Sequence, residues 1–397
     1  MEAPGHAWEI ARWILTDGRA LSSPTRFVNG LCARLLEAGV PLWRVTIYVG
    51  TLHPQIRGFG WRWWADRRIT EEVRVLQGTE RTEEYLTSPL RGAIEHGEPL
   101  RQRLDGAASE FPLLEEFRAE GCTDYVVAPL NRLGPRYPVV TWATARPGGF
   151  AAQDLALLEA IRPALAAVVE TIMLYRTARG LFSIYHGRHV GDRIFDGQIL
   201  RGHFEPLRAV IMATDLRDFT GLSDRLPGEE VIGALDEYFE HVATSVHARG
   251  GHILKFVGDG VLAIFGAEEG RDAEAAKAGI AAARAIVALL AARIADPRPG
   301  GKVPLRAGIG LHIGTVMYGN VGASDRLDFT AIGPAVNLAF RLEGLTKVLR
   351  RPVLASSEVA AVAGEPLCSL GPQPIRGLTE VEEVYGLPEH ESTINES

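Results

Sequence analysis

The chain has 397 residues, of which 46% are hydrophobic and 23% charged, with a net charge of −7 and a pI near 5.9. This length predicts two domains and a connector, and the acidic balance predicts neither nucleic acid nor a membrane surface as a partner. A bound polyphosphate would therefore need local basic groups and a metal. Three widely spaced cysteines predict reduced thiols. We expect no membrane-spanning run, no signal peptide and a cytoplasmic location.

Residues 1–150 have the pattern of a small α+β domain. Helical patterns come first, then strand-like runs with helical patterns between them, and then a long helix, in the order 5–18, 23–39, 43–50, 55–65, 124–130, 137–144 and from Phe150 onward. This order resembles that of a GAF-type sensor domain. The resemblance implies a regulatory domain with an antiparallel sheet, helices packed on one side and an unidentified small-molecule ligand.

All seven tryptophans lie in this first region: Trp8, Trp13, Trp43, Trp61, Trp63, Trp64 and Trp142. They indicate either an aromatic ligand pocket or, more commonly, aromatics that fill a core and cover a sheet. Cys122 is either a redox or attachment site or a small buried residue. His186 and His189 are three residues apart, but no Cys or carboxylate cluster accompanies them, so we predict no metal site there.

Residues 151–206 are predicted to form a helical linker and connector. The stretch 151–179 reads as one helix with a heptad seam formed by Leu158, Ile161, Leu165, Val168, Ile172 and Tyr175. Two interpretations stay open: a parallel two-stranded helix that dimerises the chain and transmits a signal, or a terminal helix packed on its own domain. The Gly-rich stretch 180–206 is expected to be irregular but structured.

Residues 207–387 begin with a βαββαβ order, which predicts a ferredoxin-like, palm-type sheet. The predicted elements are, in chain order, β (207–214), α (229–248), β (252–257), β (261–265), α (271–295), β (304–317), β (326–332) and α (334–348). The first strand lacks polar alternation, as expected of a strand covered on both faces.

Two carboxylates occupy the turns of this region. Asp215 ends the first apolar run, and Asp259 lies between two glycines at a hairpin tip. If the strands are neighbours, both carboxylates converge on a divalent cation and on phosphates. Either residue alone could have a structural role, as a cap or as a turn former. Structural roles explain the presence of both residues poorly.

The motifs of 207–387 resemble those of the catalytic domain of class III nucleotide cyclases, which make cyclic AMP or cyclic GMP. That resemblance implies Asp215 and Asp259 as ligands of Mg²⁺ or Mn²⁺, two ions per active site. It also implies that backbone N–H groups of Phe219 and Thr220 bind the β- and γ-phosphates.

Two further residues lie four apart on the helix opened by Gly333 and Pro334. Asn337 would orient the ribose and Arg341 would stabilise the pentavalent phosphorus, since the family places its transition-state residues there. A solvated polar face is the other explanation for this pair. Arg376 matches the position of a basic triphosphate contact that is often Lys.

Base choice is predicted from Lys255 and Thr330. Lys255 stands where adenylyl cyclases place the lysine that reads adenine, whereas guanylyl cyclases tend to have Glu. Thr330 marks a bacterial subgroup that includes bicarbonate-responsive enzymes, so bicarbonate is implied as an effector by that resemblance only. ATP is the expected substrate.

Family sites form between two chains, and this chain carries both sets of residues, so a homodimer with two sites is expected. A guanylate cyclase is the alternative with another substrate. A diguanylate cyclase would need a Gly-Gly-acid-acid run at the hairpin, where this chain has Val257-Gly258-Asp259-Gly260. A catalytically silent ligand-binding module is the alternative from another class.

Overall fold

The computed structural model describes residues 3–21, 23–130, 136–267, 270–294, 304–375 and 381–388. The chain divides into two compact units, Met1–Leu181 and Phe182–Ser397. The boundaries proposed from the sequence, after residues 150 and 206, stay a prediction.

The first unit is built on a six-stranded antiparallel sheet with the order β3-β2-β1-β6-β5-β4. Its strands are β1 (Arg44–Gly50), β2 (Ile56–Trp64), β3 (Ile69–Leu76), β4 (Leu100–Arg103), β5 (Asp124–Pro129) and β6 (Val139–Thr144). Its α-helices are α1 (Ala3–Trp13), α2 (Pro24–Glu37), α3 (Glu83–Leu86), α4 (Arg91–His96), α5 (Pro112–Ala119) and α6 (Ala152–His186), the last of which continues past residue 181.

Helices cover both faces of this sheet, so the expectation of helices on one side is wrong. One core lies between the sheet and α1, α2 and α6, and it contains the buried Trp61, Trp63 and Trp142. A second core joins the opposite face to α4 and α5. Both faces are apolar because successive strand side chains alternate between the two cores. The core-filling interpretation is confirmed for these three tryptophans.

Cys122 belongs to the second core, where burial raises the pKa of its thiol to about 11. This supports the interpretation of Cys122 as a small buried residue, because a reactive cysteine needs a thiolate.

The heptad seam of α6 begins inside the first unit. Leu158, Ile161, Leu165 and Val168 are buried in the core against α1, α2 and the sheet. Farther along, Leu174 and Tyr175 are 50% and 56% exposed. The first half of the seam therefore packs on its own domain, and only the second half presents apolar side chains to solvent.

The second unit carries the predicted elements in the predicted order, with a sheet whose first four strands lie β10-β7-β9-β8 and are antiparallel. The strands are β7 (Phe204–Leu216), β8 (His252–Val257), β9 (Gly260–Gly266), β10 (Ala307–Gly322), β11 (Leu327–Ile332), β12 (Val353–Ser356), β13 (Cys368–Gln373) and β14 (Glu382–Gly386). The helices are α7 (Arg188–Phe195), α8 (Phe219–Arg225), α9 (Gly228–His247), α10 (Asp272–Ile294), α11 (Pro334–Val348) and α12 (Ser357–Ala363).

The central strand β7 is covered on both faces, as its sequence predicts. Val210 and Met212 face the core under α9 and α10, whereas Ile211 and Ala213 face the core under α11. Helix α11 approaches β10 so closely that a Cβ at Gly310 would lie 2.2 Å from the Ala339 carbonyl oxygen. This contact fixes the helix that carries the predicted transition-state residues.

Two expectations from the sequence need correction. The stretch 180–206 is not irregular throughout, because α6 runs to His186 and α7 spans Arg188–Phe195. The stretch Asp272–Arg293 is long and apolar enough to cross a membrane by length and composition, although none was expected. Half of that stretch is buried, with Ala276, Ile280 and Ala283 fully enclosed in the core.

Candidate active site

The two predicted metal ligands meet at one end of the sheet. Asp215 stands opposite Gly260 in the β7–β9 ladder, directly beside Asp259 in the turn between β8 and β9. Gly258 provides the left-handed conformation of that turn, with φ of 64°. Burial raises the pKa of the Asp215 carboxyl, and the nearby charge of Asp259 raises it further. Two carboxylates held this close favour a cation between them.

This pair fits Mg²⁺ or Mn²⁺, because these ions prefer oxygen ligands and are often held by two carboxylates plus substrate phosphates. The backbone beneath the pair is tight: a Cβ at Gly260 would lie 2.7 Å from the Thr214 carbonyl oxygen and 3.2 Å from Asp215 Oδ1. Over the described ranges, no group of three or more His, Cys, Asp or Glu side chains is arranged to hold a metal. Substrate phosphates and water commonly complete the coordination of Mg²⁺ at carboxylate sites of this kind.

A third carboxylate, which the sequence analysis missed, lies behind this pair. Glu343 of α11 is 8% exposed, and burial followed by the charge of Asp215 raises its pKa to about 7. Its Oε1 is buried without a hydrogen-bond partner among the described residues. The sequence feature that could have identified Glu343 is its position two residues after Arg341, on the same helix as Asn337.

Two cations accompany the carboxylates. Lys347, one turn after Glu343, places Nζ 3.8 Å from Asp215 Oδ2. Arg217 follows Asp215 by two residues, and its guanidinium Nη1 is buried without a partner in the described part of the chain. A Cβ at Gly308 would lie 2.7 Å from Glu343 Oε1 and 3.2 Å from Arg217 Cζ, so a larger residue at this position would have to displace these side chains.

The predicted base-reading residues lie on β8 and β11, two strands that are not paired with each other but are joined by a side-chain contact. Lys255 of β8 donates from Nζ to Oδ2 of Asp328 on β11 at 3.0 Å. Thr330, two residues farther along β11, is 2% exposed, and its Oγ1 has no partner among the described residues. Asp328 and Thr330 are two residues apart on one strand and so share a face. Asp328 was not singled out from the sequence.

The predicted phosphate contacts are only partly described. Phe219 and Thr220 form the first turn of α8, where backbone N–H groups have no partner inside the helix. Asp218 precedes them with a φ of 57°. Arg376, the predicted triphosphate contact, lies outside the described residues.

Asn337 and Arg341 share α11 with Glu343 and Lys347. Asn337 is exposed and Arg341 half-buried, and they occupy the first half of the helix. At 1.5 Å per residue, Asn337 and Lys347 are about 15 Å apart along the axis. The structure therefore brings Asp215, Asp259, Glu343 and Lys347 together and does not bring Asn337 to that cluster within one chain.

The second unit matches known proteins over most of its length. Residues 206–367 match the family described as Adenylate and Guanylate cyclase catalytic domain. Adenylate cyclase 1 of Rhizobium meliloti (strain 1021) is 40% identical over 150 residues, which cover 38% of this chain and 22% of that protein. An adenylate cyclase of Anabaena cylindrica is 34% identical over 152 residues, covering 38% of this chain and 30% of that protein. The chain thus spans less than a third of these curated relatives.

A solved bacterial light-regulated adenylyl cyclase is similar in fold, with 23% identity and a TM-score of 0.50. That similarity covers 70% of this chain and 88% of the other. The family match and the related sequences both fall on the unit that holds the carboxylate pair. Residues 206–367 therefore match an adenylate and guanylate cyclase catalytic domain, and this match covers the strands that carry the carboxylate pair.

Proposed function

We propose that the second unit is an adenylate cyclase, which converts ATP to 3′,5′-cyclic AMP and pyrophosphate between two copies of the chain. The observation that carries the proposal is the meeting of Asp215 and Asp259 at one sheet end. A lone Asp at a strand end or in a turn is common. Two carboxylates that lie together at the same sheet end, beside a glycine with no room for a Cβ, are arranged to hold a cation.

In the reaction, the ribose 3′-hydroxyl attacks the α-phosphorus in line and pyrophosphate leaves. Asp215 and Asp259 would hold two Mg²⁺ or Mn²⁺ ions, which when bound lower the pKa of that hydroxyl and neutralise phosphate charge. Asn337 orients the ribose, and Arg341 stabilises charge on the pentavalent phosphorus. The N–H groups of Phe219 and Thr220 bind the outer phosphates. We assign Arg376 to the triphosphate as well, on sequence alone.

We propose ATP as the substrate because of the groups around Lys255. The Lys255 ammonium donates and cannot accept, which suits adenine N1 and not the N1–H of guanine. The unpartnered Thr330 hydroxyl supplies an acceptor for the adenine amino group. The Thr-type subgroup and bicarbonate as an effector are proposed on sequence resemblance. A guanylate cyclase is the second candidate, because the matched family contains both activities.

A homodimer is proposed because one chain carries both half-sites and exposes apolar side chains near one of them. Phe256 and Val257, beside Lys255, are 52% and 46% exposed. Met317 and Ile332, paired across β10 and β11, are 46% and 43% exposed. Apolar strand residues left open in this way favour association.

We further propose that the first unit is a GAF-like regulatory domain that binds a small molecule. A cavity of about 640 Å³ lies between β1–β3 and the segments around α3 to α5. Arg57, 3% exposed, lines it and donates to Tyr85 Oη at 3.2 Å, while its Nε has no partner among the described residues. Gly60 leaves open space on the sheet floor. The location that we propose for the whole protein is cytoplasmic.

The test of the activity is direct. Purified full-length protein is incubated with ATP or GTP and Mn²⁺, and cyclic nucleotides are quantified by mass spectrometry. Cyclic AMP should form, and Asp259→Asn should remove it. A matched control is Asp325→Asn, at an exposed Asp outside both half-sites. Cyclic GMP as the main product would make the protein a guanylate cyclase. No product in either case would favour the silent module.

Regulation by the first unit has its own readout. All seven tryptophans lie between Trp8 and Trp142, so their emission reports only on that unit. Binding of a non-cyclisable ATP analogue to the second unit should change this emission if the units are coupled. The measurement is repeated in the presence of small molecules that copurify with the first unit. If the emission is unchanged at saturating analogue in both experiments, regulation by this domain is contradicted.

A further inference from the structure

The cavity of the first unit has its positive charge at depth and its negative charge at the mouth. Its basic lining residues are Arg57, which is 3% exposed, and Arg62, which is half-buried. Its acidic lining residues are all exposed, namely Glu83, Glu84 and Glu116. Water screens the exposed glutamates, whereas the buried guanidinium of Arg57 acts on the interior of the cavity.

Arg57 reaches the cavity because β2 is irregular at this point. The pairing of β2 with β3 shifts its register between Ile56 and Gly58. In a regular strand Arg57 would share a face with Phe59 and Trp61, which belong to the core on the opposite side of the sheet. The irregularity turns Arg57 toward the cavity instead, as β-bulges do beside binding sites.

Two tyrosines accompany the Arg57 guanidinium, and both line the cavity. Arg57 Nη2 donates to Tyr85 Oη at 3.2 Å, and Tyr85 Oη donates in turn to Glu95 Oε1 at 3.1 Å. This chain of hydrogen bonds holds the guanidinium in place. Tyr48 lies across Gly58, where a Cβ would be 2.6 Å from Tyr48 Oη. Its hydroxyl is a further donor beside Arg57 for an oxygen anion.

Glu80 already places a carboxylate on Arg57. Glu80 Oε2 lies 3.0 Å from Arg57 Nη1, and the same oxygen accepts from the Gly78 backbone N–H at 3.0 Å. A structural ion pair is the ordinary explanation for this contact. That explanation leaves Arg57 Nε buried without a partner among the described residues, which is costly, and it requires no cavity beside the pair.

The rest of the cavity is apolar and leaves room for a ligand. Gly60 lies on the sheet floor, and a Cβ there would meet nothing within 4 Å, so packing does not require glycine. The apolar walls are formed by Val73, Val75, Leu90, Ile94 and Leu113. These side chains offer no hydrogen bond to a sugar or a base but suit a hydrocarbon body. The glutamates at the mouth disfavour a ligand with several negative charges.

We propose that this cavity binds a carboxylic acid with an apolar body, whose carboxylate takes the place of Glu80 on Arg57. The inference rests on the proposed role of the first unit as a ligand-binding domain, and it names the class of ligand. The apolar body lies over Gly60, between the walls. Because Glu80 belongs to the turn Thr79–Arg81, which leads into α3, its displacement by the ligand releases this segment.

The test measures binding to the full-length protein by calorimetry, in the absence of nucleotide. The probes are octanoate and phenylacetate, each compared with its neutral amide. The parent should bind an acid about tenfold more tightly than the matching amide, as expected for one charge-assisted contact. Arg57→Gln should remove this preference.

Two further variants keep Arg57 intact. Glu80→Gln removes the carboxylate that competes with the ligand and should tighten binding of the acids about tenfold. Gly60→Val fills the floor and should abolish binding of every probe, with no loss in melting temperature, since β-branched residues suit a strand. Glu37→Gln, exposed on α2 across the sheet, is the matched control and should bind like the parent.

Each other outcome overturns a stated part of the proposal. If Glu80→Gln binds the acids no more tightly than the parent, the Glu80–Arg57 pair is structural and the proposal is wrong, whether or not Arg57→Gln folds. Amides that bind as tightly as acids also overturn it but keep the first unit as a ligand-binding domain. Cyclic AMP that binds through Arg57 more tightly than either acid makes the cavity a nucleotide site instead.

The proposed regulation fails separately from the carboxylate site. An acid that binds through Arg57 without changing the rate of cyclic nucleotide formation would refute regulation by the first unit and keep the site. A parent protein that binds none of the acids, the amides or cyclic AMP would refute both.

Discussion

Lys255 on β8 and Asp328 on β11 are joined by a hydrogen bond of 3.0 Å from Nζ to Oδ2. The proposed base-reading lysine is thus oriented by a carboxylate two residues from Thr330. Lys255→Glu should lower the rate with ATP and raise the GTP-to-ATP ratio, because a carboxylate accepts from guanine N1–H and its amino group. The loss of one matched contact costs on the order of 1–3 kcal/mol, which lowers kcat/KM with ATP by roughly 5- to 150-fold.

The control for this change is Lys277→Glu, which alters an exposed lysine of α10 and should leave the ratio alone. Asp328→Asn should give a smaller loss with ATP, since Lys255 keeps its charge and loses only its orientation. Wild-type purine preference in Lys255→Glu would mean that Lys255 does not read the base.

Complementation between inactive variants tests whether sites are shared between chains. Asp215→Ala removes a metal ligand and Arg341→Ala a transition-state cation, and each alone should be nearly inactive. In a mixed dimer one site carries both lesions and the other none. With random pairing about half of the dimers are mixed, each with one good site of two, so roughly a quarter of wild-type activity should return.

The control for that experiment combines two variants whose changes lie in the same half-site. Asp215→Ala mixed with Asp259→Ala should not recover, because both residues belong to one half-site. Recovery in this mixture, or none in the first despite proven mixed dimers, would show that the site is not divided as proposed.

Glu343 should make the metal-free protein lose stability as pH rises. Burial, followed by the nearby Asp215, raises its pKa to about 7 from an ordinary 4.5. The fold favours the neutral carboxyl, so the contribution of Glu343 to stability is fully present below pH 4.5. It is lost as pH rises through 7, which lowers the free energy of unfolding by on the order of 2–3 kcal/mol. Glu343→Gln, always neutral, should match the parent in melting temperature near pH 5 and exceed it by several degrees at pH 8.

Scanning calorimetry in EDTA checks this difference, with Glu229→Gln as an exposed control on α9. A constant offset between Glu343→Gln and the parent at both pH values would mean that Glu343 does not titrate between them, which contradicts the raised pKa.

The close approach of α11 to β10 predicts opposite effects of the same substitution at two glycines. Gly310→Ala would place a Cβ 2.2 Å from the Ala339 carbonyl oxygen and 2.5 Å from the Glu343 nitrogen, so the helix must move. Activity and thermal stability should both fall. At Gly344, exposed on α11, a Cβ meets nothing within 4 Å, and Ala should stabilise by about 0.5–1 kcal/mol. Equal stability of the two variants would contradict a tight contact at Gly310.

The sequence predicted the second unit well because its strands are apolar runs and its helices have clear ends. It missed β3, an edge strand whose Glu71, Glu72 and Arg74 interrupt any apolar alternation, and the four-residue β4. It also missed α7, where Gly187 and Gly191 flank and interrupt the pattern. Both kinds of error arise where neighbouring elements, and not local sequence, decide the conformation.

The same limit holds at the candidate site. Asp215 and Asp259 are readable because a carboxylate at a strand end and another at a hairpin tip are unusual together. Glu343 and Lys347 look like ordinary charges on a helix surface, and their role follows only from the depth at which α11 packs. Asp328 is similar, since its importance comes from pairing across strands.

Helix α11 holds Asn337 and Arg341 in its first half and Glu343 and Lys347 in its second, and Gly310 lets it lie against the sheet without a gap. The distance between the pair Asn337 and Arg341 and the pair Glu343 and Lys347 is therefore constant, because a helix packed this closely on a strand cannot tilt without losing its contacts. If the active site forms between two chains as proposed, capture and release of substrate are then a motion of one catalytic domain relative to the other, and a signal that rotates one domain changes both active sites together.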